Sequence, residues 1–116
     1  MKFLSIYKPA SNAGGPPSKE HMAEMGKLIE ETMKSGLLVS TGGLLPLSKG
    51  GAVVRRSGGE ITVIDAPTGE NISGFAVLEA KSRDEAIEML RRFLKIAGDG
   101  ESELRPMLEP GPPPAN

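Results

Sequence analysis

Apolar positions along the chain follow two periods, and the switches between them mark out the elements. Met1 to Tyr7 (MKFLSIY) is apolar on both alternations, with Phe3, Ser5 and Tyr7 on one side and Leu4 and Ile6 on the other, the pattern of a strand covered on both faces. Lys8 to Pro17 holds two Gly and three Pro and reads as a mobile connector. From Ser18, a helix N-cap, the period turns helical. Met22, Met25, Ile29 and Met33 recur at spacings that stack them on one face, the charged residues occupy the others, and Gly36 stands where a C-terminal stop belongs. Leu37 to Pro46 predicts a short strand broken by a tight turn at Gly42-Gly43.

Two short β-prone runs, Ala52 to Arg56 and Glu60 to Ile64, flank Ser57-Gly58-Gly59 and predict a hairpin. Its loop length decides what accompanies Asp65. A two-residue loop pairs Ala52 and Val54 with Asp65 and Val63, whereas a three-residue loop brings Val53 and Arg55 to that face instead. Gly74 to Leu78 is again apolar on both alternations. Ser82 with Glu85 forms a capping box that opens a second helix, whose buried stripe is Ala86, Ile87, Leu90, Phe93, Leu94 and Ala97 and whose stop is Gly98. Ser102 to Leu108 reads as a last strand at or near an edge, because Pro106 cannot donate to a ladder. Pro110 to Asn116 has nothing to bury and is expected to be a disordered or extended tail, leaving residues 1 to 109 as one domain.

The order is therefore β, α, a short element, a ββ hairpin, β, α, β: an α+β chain. Two helices cover one face of such a sheet, yet its inner strands are greasy on both. Bare apolar patches of several hundred Å² are rare on soluble monomers, so the pattern predicts a homodimer packed sheet to sheet.

Composition narrows the function. Fourteen basic against fifteen acidic residues give a net charge of −1, and with no Trp and one Tyr there is neither field nor stacking surface for nucleic acid. The absence of Cys removes thiol chemistry and fits a reducing, cytoplasmic setting. No run approaches the roughly eighteen apolar residues of a membrane span. One His among scattered carboxylates makes no metal set, the Gly-rich pieces lack the Lys of a phosphate cradle, and no cofactor is expected.

Several of these pieces together resemble the YCII-related family, and most closely its branch named for a DGPF turn. They are Met1-Lys2 opening a strand, Gly36-Leu37-Leu38-Val39 leading to Gly42-Gly43-Leu44-Leu45-Pro46, Asp65-Ala66-Pro67 with Glu70, Gly74-Phe75, Asp84-Glu85-Ala86, and Glu103-Leu104-Arg105-Pro106-Met107. The resemblance covers about residues 1 to 109. It implies a ferredoxin-like antiparallel sheet with two helices on one face, dimerising into an α/β barrel. Here Ala66 and Thr68 stand in for the family's Gly and Phe, and the Lys-Glu pair after the turn is missing. A His and Asp pair has been proposed as catalytic in some members, one relative is a dehydrochlorinase of a chlorinated hydroxyquinol, and DGPF members often accompany sigma factors.

Asp65 is the foremost chemical candidate: it leaves an apolar strand at a Pro turn, where a carboxylate either bonds its own loop amides or, at the lip of a pocket, serves as acid or base. His21, the one imidazole, is its candidate partner, or a solvent-facing residue of a first helical turn. Arg55, Arg56 and Arg105 are able to fork onto an anionic substrate, or are plain surface charges. Tyr7 on the opening strand and the Gly42-Gly43 loop complete the expected border of a substrate pocket. Two functions follow: a cofactor-independent enzyme of dehydrochlorinase or isomerase type using Asp65 and His21, or a non-catalytic small-molecule-binding or sigma-factor accessory protein.

Overall fold

A computed structural model describes residues 1–10, 18–67, 69 and 72–108. The chain runs β1 (Lys2–Pro9), α1 (Lys19–Lys34), β2 (Leu38–Gly43), β3 (Ala52–Ser57), β4 (Glu60–Asp65), β5 (Gly74–Glu79), α2 (Arg83–Ala97) and β6 (Gly100–Pro106). Four strands form one antiparallel sheet in the order β2-β5-β1-β6, while β3 and β4 pair only with each other. Each helix joins two strands that have a third lying between them, which is the split βαβ arrangement of a ferredoxin-like α+β fold. The β3–β4 hairpin is an insertion into it.

Local chemistry explains the boundaries. Ser18 and Ser82 are extended N-caps whose hydroxyls accept from the amides of His21 and Glu85, and the Glu85 carboxylate accepts in return from the Lys81 amide. Gly36 and Gly98 take the left-handed backbone at the helix ends (φ 83° and 96°). The hairpin closes through Gly58 and Gly59, both at positive φ, a two-residue loop whose twist suits the strands it joins.

The core lies between the sheet and the helices: Phe3, Leu38 and Leu78 from the strands meet Leu28 of α1 and Ala86, Met89 and Leu90 of α2. The face that α1 buries differs from the predicted one. Leu28 and Thr32 are inside, with Met25 and Ile29 beside them, whereas Met22 and Met33 are 61% and 45% exposed. The predicted residues share one narrow arc of the helix, and packing on the sheet turns the buried face away from it toward Leu28 and Thr32, leaving Met22 and Met33 at its edge. Thr32 is tolerated there because its hydroxyl donates to the Leu28 carbonyl one turn back (2.6 Å). Gly42-Gly43 is not a turn but the end of strand β2, paired with Phe75 and Gly74; the chain turns later, at residues 47–50. β6 is an edge strand, as Pro106 requires. No helix is long and apolar enough to cross a membrane among the described residues. Most of the Lys8–Pro17 connector, Thr68 and Glu70 of the turn, and the 110–116 tail lie outside the described residues.

Candidate functional site

Residues directly opposite each other on paired strands share a face of the sheet, so the side beneath the helices can be read in rows. The first row, Leu38, Leu78, Phe3 and Pro106, is large and filled. The second, Thr41, Ala76, Ser5 and Leu104, is smaller across its first three positions. The third runs Gly43, Gly74, Tyr7 and Ser102, and its first two members have no side chain at all. Beneath the helices the side chains of the sheet thus become smaller from one end to the other. Where they are smallest a cavity of about 310 Å³ opens.

Met25, Leu28 and Ile29 of α1 and Met89, Leu90 and Phe93 of α2 form the roof, and the floor is the second and third rows out to Tyr7. Methionine thioethers and a phenyl ring give a wall that is soft, polarizable and able to fit an aromatic guest. Polar groups are few: the hydroxyls of Ser5, Tyr7, Thr41 and Ser73. Thr41 is already engaged, donating to the Phe75 carbonyl at 2.9 Å. Among the described residues no carboxylate, imidazole, ammonium or guanidinium lines the space. Tyr7 is thus its one titratable group. Its ring meets Phe93 edge to face at 5.1 Å, and its hydroxyl donates a long 3.4 Å bond to the Asp99 carbonyl. Burial, and then the charge of Asp99, push the Tyr7 pKa above the ordinary 10.0, so near neutrality the phenol keeps its proton and acts as a donor.

Of the residues singled out from sequence, Tyr7, Gly42 and Gly43 are brought together at this cavity. The others are not. Asp65 ends β4 on the inserted hairpin, exposed and opposite Ala52; the two-residue loop sets this register, which leaves Arg55 opposite Thr62 on the other face of the ribbon. His21 is exposed in the first turn of α1, and no hydrogen bond or ion pair joins it to Asp65. Arg105 pairs with Leu4 on the sheet face away from the helices, and its guanidinium is held by Glu103 at 2.8 and 3.0 Å. Lys8 and then Arg105 hold the Glu103 carboxyl below its usual range. An anion-binding role for Arg105 at the cavity therefore fails on geometry, since the sheet stands between them. Sequence reasoning missed the roof residues Met89, Leu90 and Phe93 as a site, and Gly74 as its floor. The small residues at the third row were visible in the sequence, but only the strand register aligns them.

Residues 1–108 match the model of the YCII-related domain. The chain belongs to the YCII-related family. No curated protein matches its sequence. Among solved structures, this YCII-related chain is similar to 5-chloro-2-hydroxyhydroquinone dehydrochlorinase from Burkholderia phenoliruptrix AC1100 in complex with 2,5-dihydroxybenzoquinone. The two share 16% identity over 95% of this chain and 96% of the other, with a TM-score of 0.53, a likeness of fold. The described residues of the YCII-related chain contain no grouping of three or more His, Asp or Glu able to hold a metal ion.

Proposed function

We propose that this YCII-related protein binds a small, flat organic molecule of hydroquinone or quinone type in the cavity between helices and sheet. The carrying observation is an apolar chamber of about 310 Å³ with a neutral tyrosine as its one titratable group. That volume lies at the lower end of ligand pockets, suited to a single ring. Met25, Met89 and Phe93 would pack the ring faces, and the Tyr7 hydroxyl would exchange its long bond to Asp99 for a ring oxygen. The bound quinone of the similar dehydrochlorinase supports a guest of this class. The working unit in this reading is a symmetric pair of chains, supported by Leu4, Ile6, Phe75 and Val77, which the register places on the sheet face that neither helix covers.

Calorimetric titration with 2,5-dihydroxybenzoquinone tests the binding. A Cβ on Gly43 would meet only the Ser73 carbonyl oxygen at 3.9 Å, ordinary contact, so Gly43→Leu should fit the backbone and place its side chain over the floor. Affinity should fall about tenfold or more, roughly 1.4 kcal/mol, with the melting temperature unchanged. Equal affinity for both proteins, or no binding by the parent, sinks the proposal.

One observation favours a second reading, an enzyme using Asp65 for proton transfer. Ala66, the next residue, is the one non-glycine at positive φ (42°) among those described, held by its amide donating to the Gly51 carbonyl at 2.8 Å. Such strain collects at working sites. On this reading Asp65→Asn abolishes chloride release from a chlorinated hydroxyquinol, and undiminished release from that variant removes Asp65 from the chemistry.

A further inference from the structure

Ser5 interrupts the run of large side chains from Phe3 to Tyr7, and it does so in the floor of the chamber, where it is 4% exposed. Its neighbours in the row, Ala76 and Leu104, have no polar side-chain atom to offer it. Among the described residues its hydroxyl neither donates nor accepts a hydrogen bond. The other hydroxyls of the chamber are provided for. Thr41 donates to the Phe75 carbonyl, Tyr7 to that of Asp99, and Ser73 is only half-buried and open to water. A buried hydroxyl without a protein partner opposes folding, and an alanine at position 5 would line the same row without that penalty. The Ser5 hydroxyl is therefore answered by what enters the chamber.

The backbone sets how far apart two such anchors stand. Ser5 and Tyr7 project from one face of β1 two residues apart, roughly 7 Å along the strand. The Tyr7 hydroxyl leans further off, because the Asp99 carbonyl that it reaches also accepts from the amide of Ala10, past the far end of β1. Hydroxyls set this far apart do not both meet oxygens on adjacent carbons of one ring. Oxygens on opposite carbons reach both, and beside the two anchors the floor is only Ala76 and Gly74, low enough for a flat ring to lie across.

We infer that Ser5 is the second anchor of the chamber and that, with Tyr7, it selects a ring carrying oxygens on opposite carbons over one carrying them on adjacent carbons. This rests on the ring-binding reading proposed above and adds the residue that orients the guest, one oxygen inward on Ser5 and the other outward on Tyr7. A guest oxygen that takes the place of water on Ser5 keeps its hydrogen bond, whereas a bare ring carbon there leaves the hydroxyl unpaired.

Calorimetric titration with hydroquinone and with catechol, alongside 2,5-dihydroxybenzoquinone, reads the selection. The parent should bind hydroquinone about tenfold more tightly than catechol, and Ser5→Ala should bring the two within about twofold by weakening hydroquinone. The melting temperature of Ser5→Ala should equal or exceed that of the parent, since the change removes an unpaired hydroxyl. A parent that binds 2,5-dihydroxybenzoquinone without distinguishing the two isomers, or a Ser5→Ala protein that keeps the parent's preference, overturns the anchor and leaves the ring-binding reading standing. A melting temperature lowered by several degrees in Ser5→Ala assigns the hydroxyl to the fold and also overturns the anchor. A parent that binds none of the three compounds overturns both.

Discussion

Tyr7 shows how much of a site one residue's surroundings can decide. It was legible as the last apolar position of the first strand, yet its role depends on two things the strand pattern does not contain: the ring of Phe93 above it and the glycines beside it. As the chain's one tyrosine it can be titrated alone by its phenolate absorbance. The midpoint in the folded protein should lie above 10.0 and return to 10.0 on unfolding in denaturant. The sign for stability follows: the folded state holds this proton more tightly, so the contribution is whole below the unfolded value and is lost as pH climbs through the folded one. Tyr7→Phe should abolish the absorbance change and also weaken quinone binding through the missing donor. Asp65 teaches the opposite lesson. Its place beside a Pro turn marks it out as chemical, and the structure puts it on an exposed ribbon, because β3 and β4 pair only with each other and stand outside the four-stranded sheet, which strand periodicity does not reveal.

At the scale of elements, signals that act within a few residues were read correctly. The Ser82 hydroxyl caps α2 as expected while Glu85 reaches back one residue further, to the Lys81 amide, and removing the hydroxyl with Ser82→Ala should cost about 1 kcal/mol in chemical denaturation. A loss of a few tenths or less would mean that water replaces the cap at no penalty. The buried face of α1 differs from the predicted one because periodicity gives the existence of an apolar stripe more firmly than its centre. Several apolar residues compete for one contact, and packing on the sheet chose Leu28 over Met22 and Met33. Gly42-Gly43 departs from the predicted turn for a related reason. Paired glycines ordinarily break a strand, but on an edge strand already fixed by Leu38 and Thr41 they continue the ladder and merely empty it of side chains.

For the whole molecule, the sequence carried the architecture further than the site. Double-faced strands and two amphipathic helices dictate an α+β sheet with one face covered, and the family's pattern along nearly the full chain names the ferredoxin-like version of it. The cavity is a property of no segment. It exists because Gly43, Gly74 and Tyr7, from three strands far apart in sequence, fall into one row under two helices. That gradation, bulky at the Phe3 end and empty at the Gly74 end, separates the residues that hold the subunit together from those that give the chamber its shape. Relatives could therefore change the size of guest they accept by swapping a hydrogen for a methyl or an isobutyl group at position 43. Such drift would leave the Phe3, Leu38 and Leu78 packing untouched, and a single scaffold could diversify its chemistry without first becoming fragile.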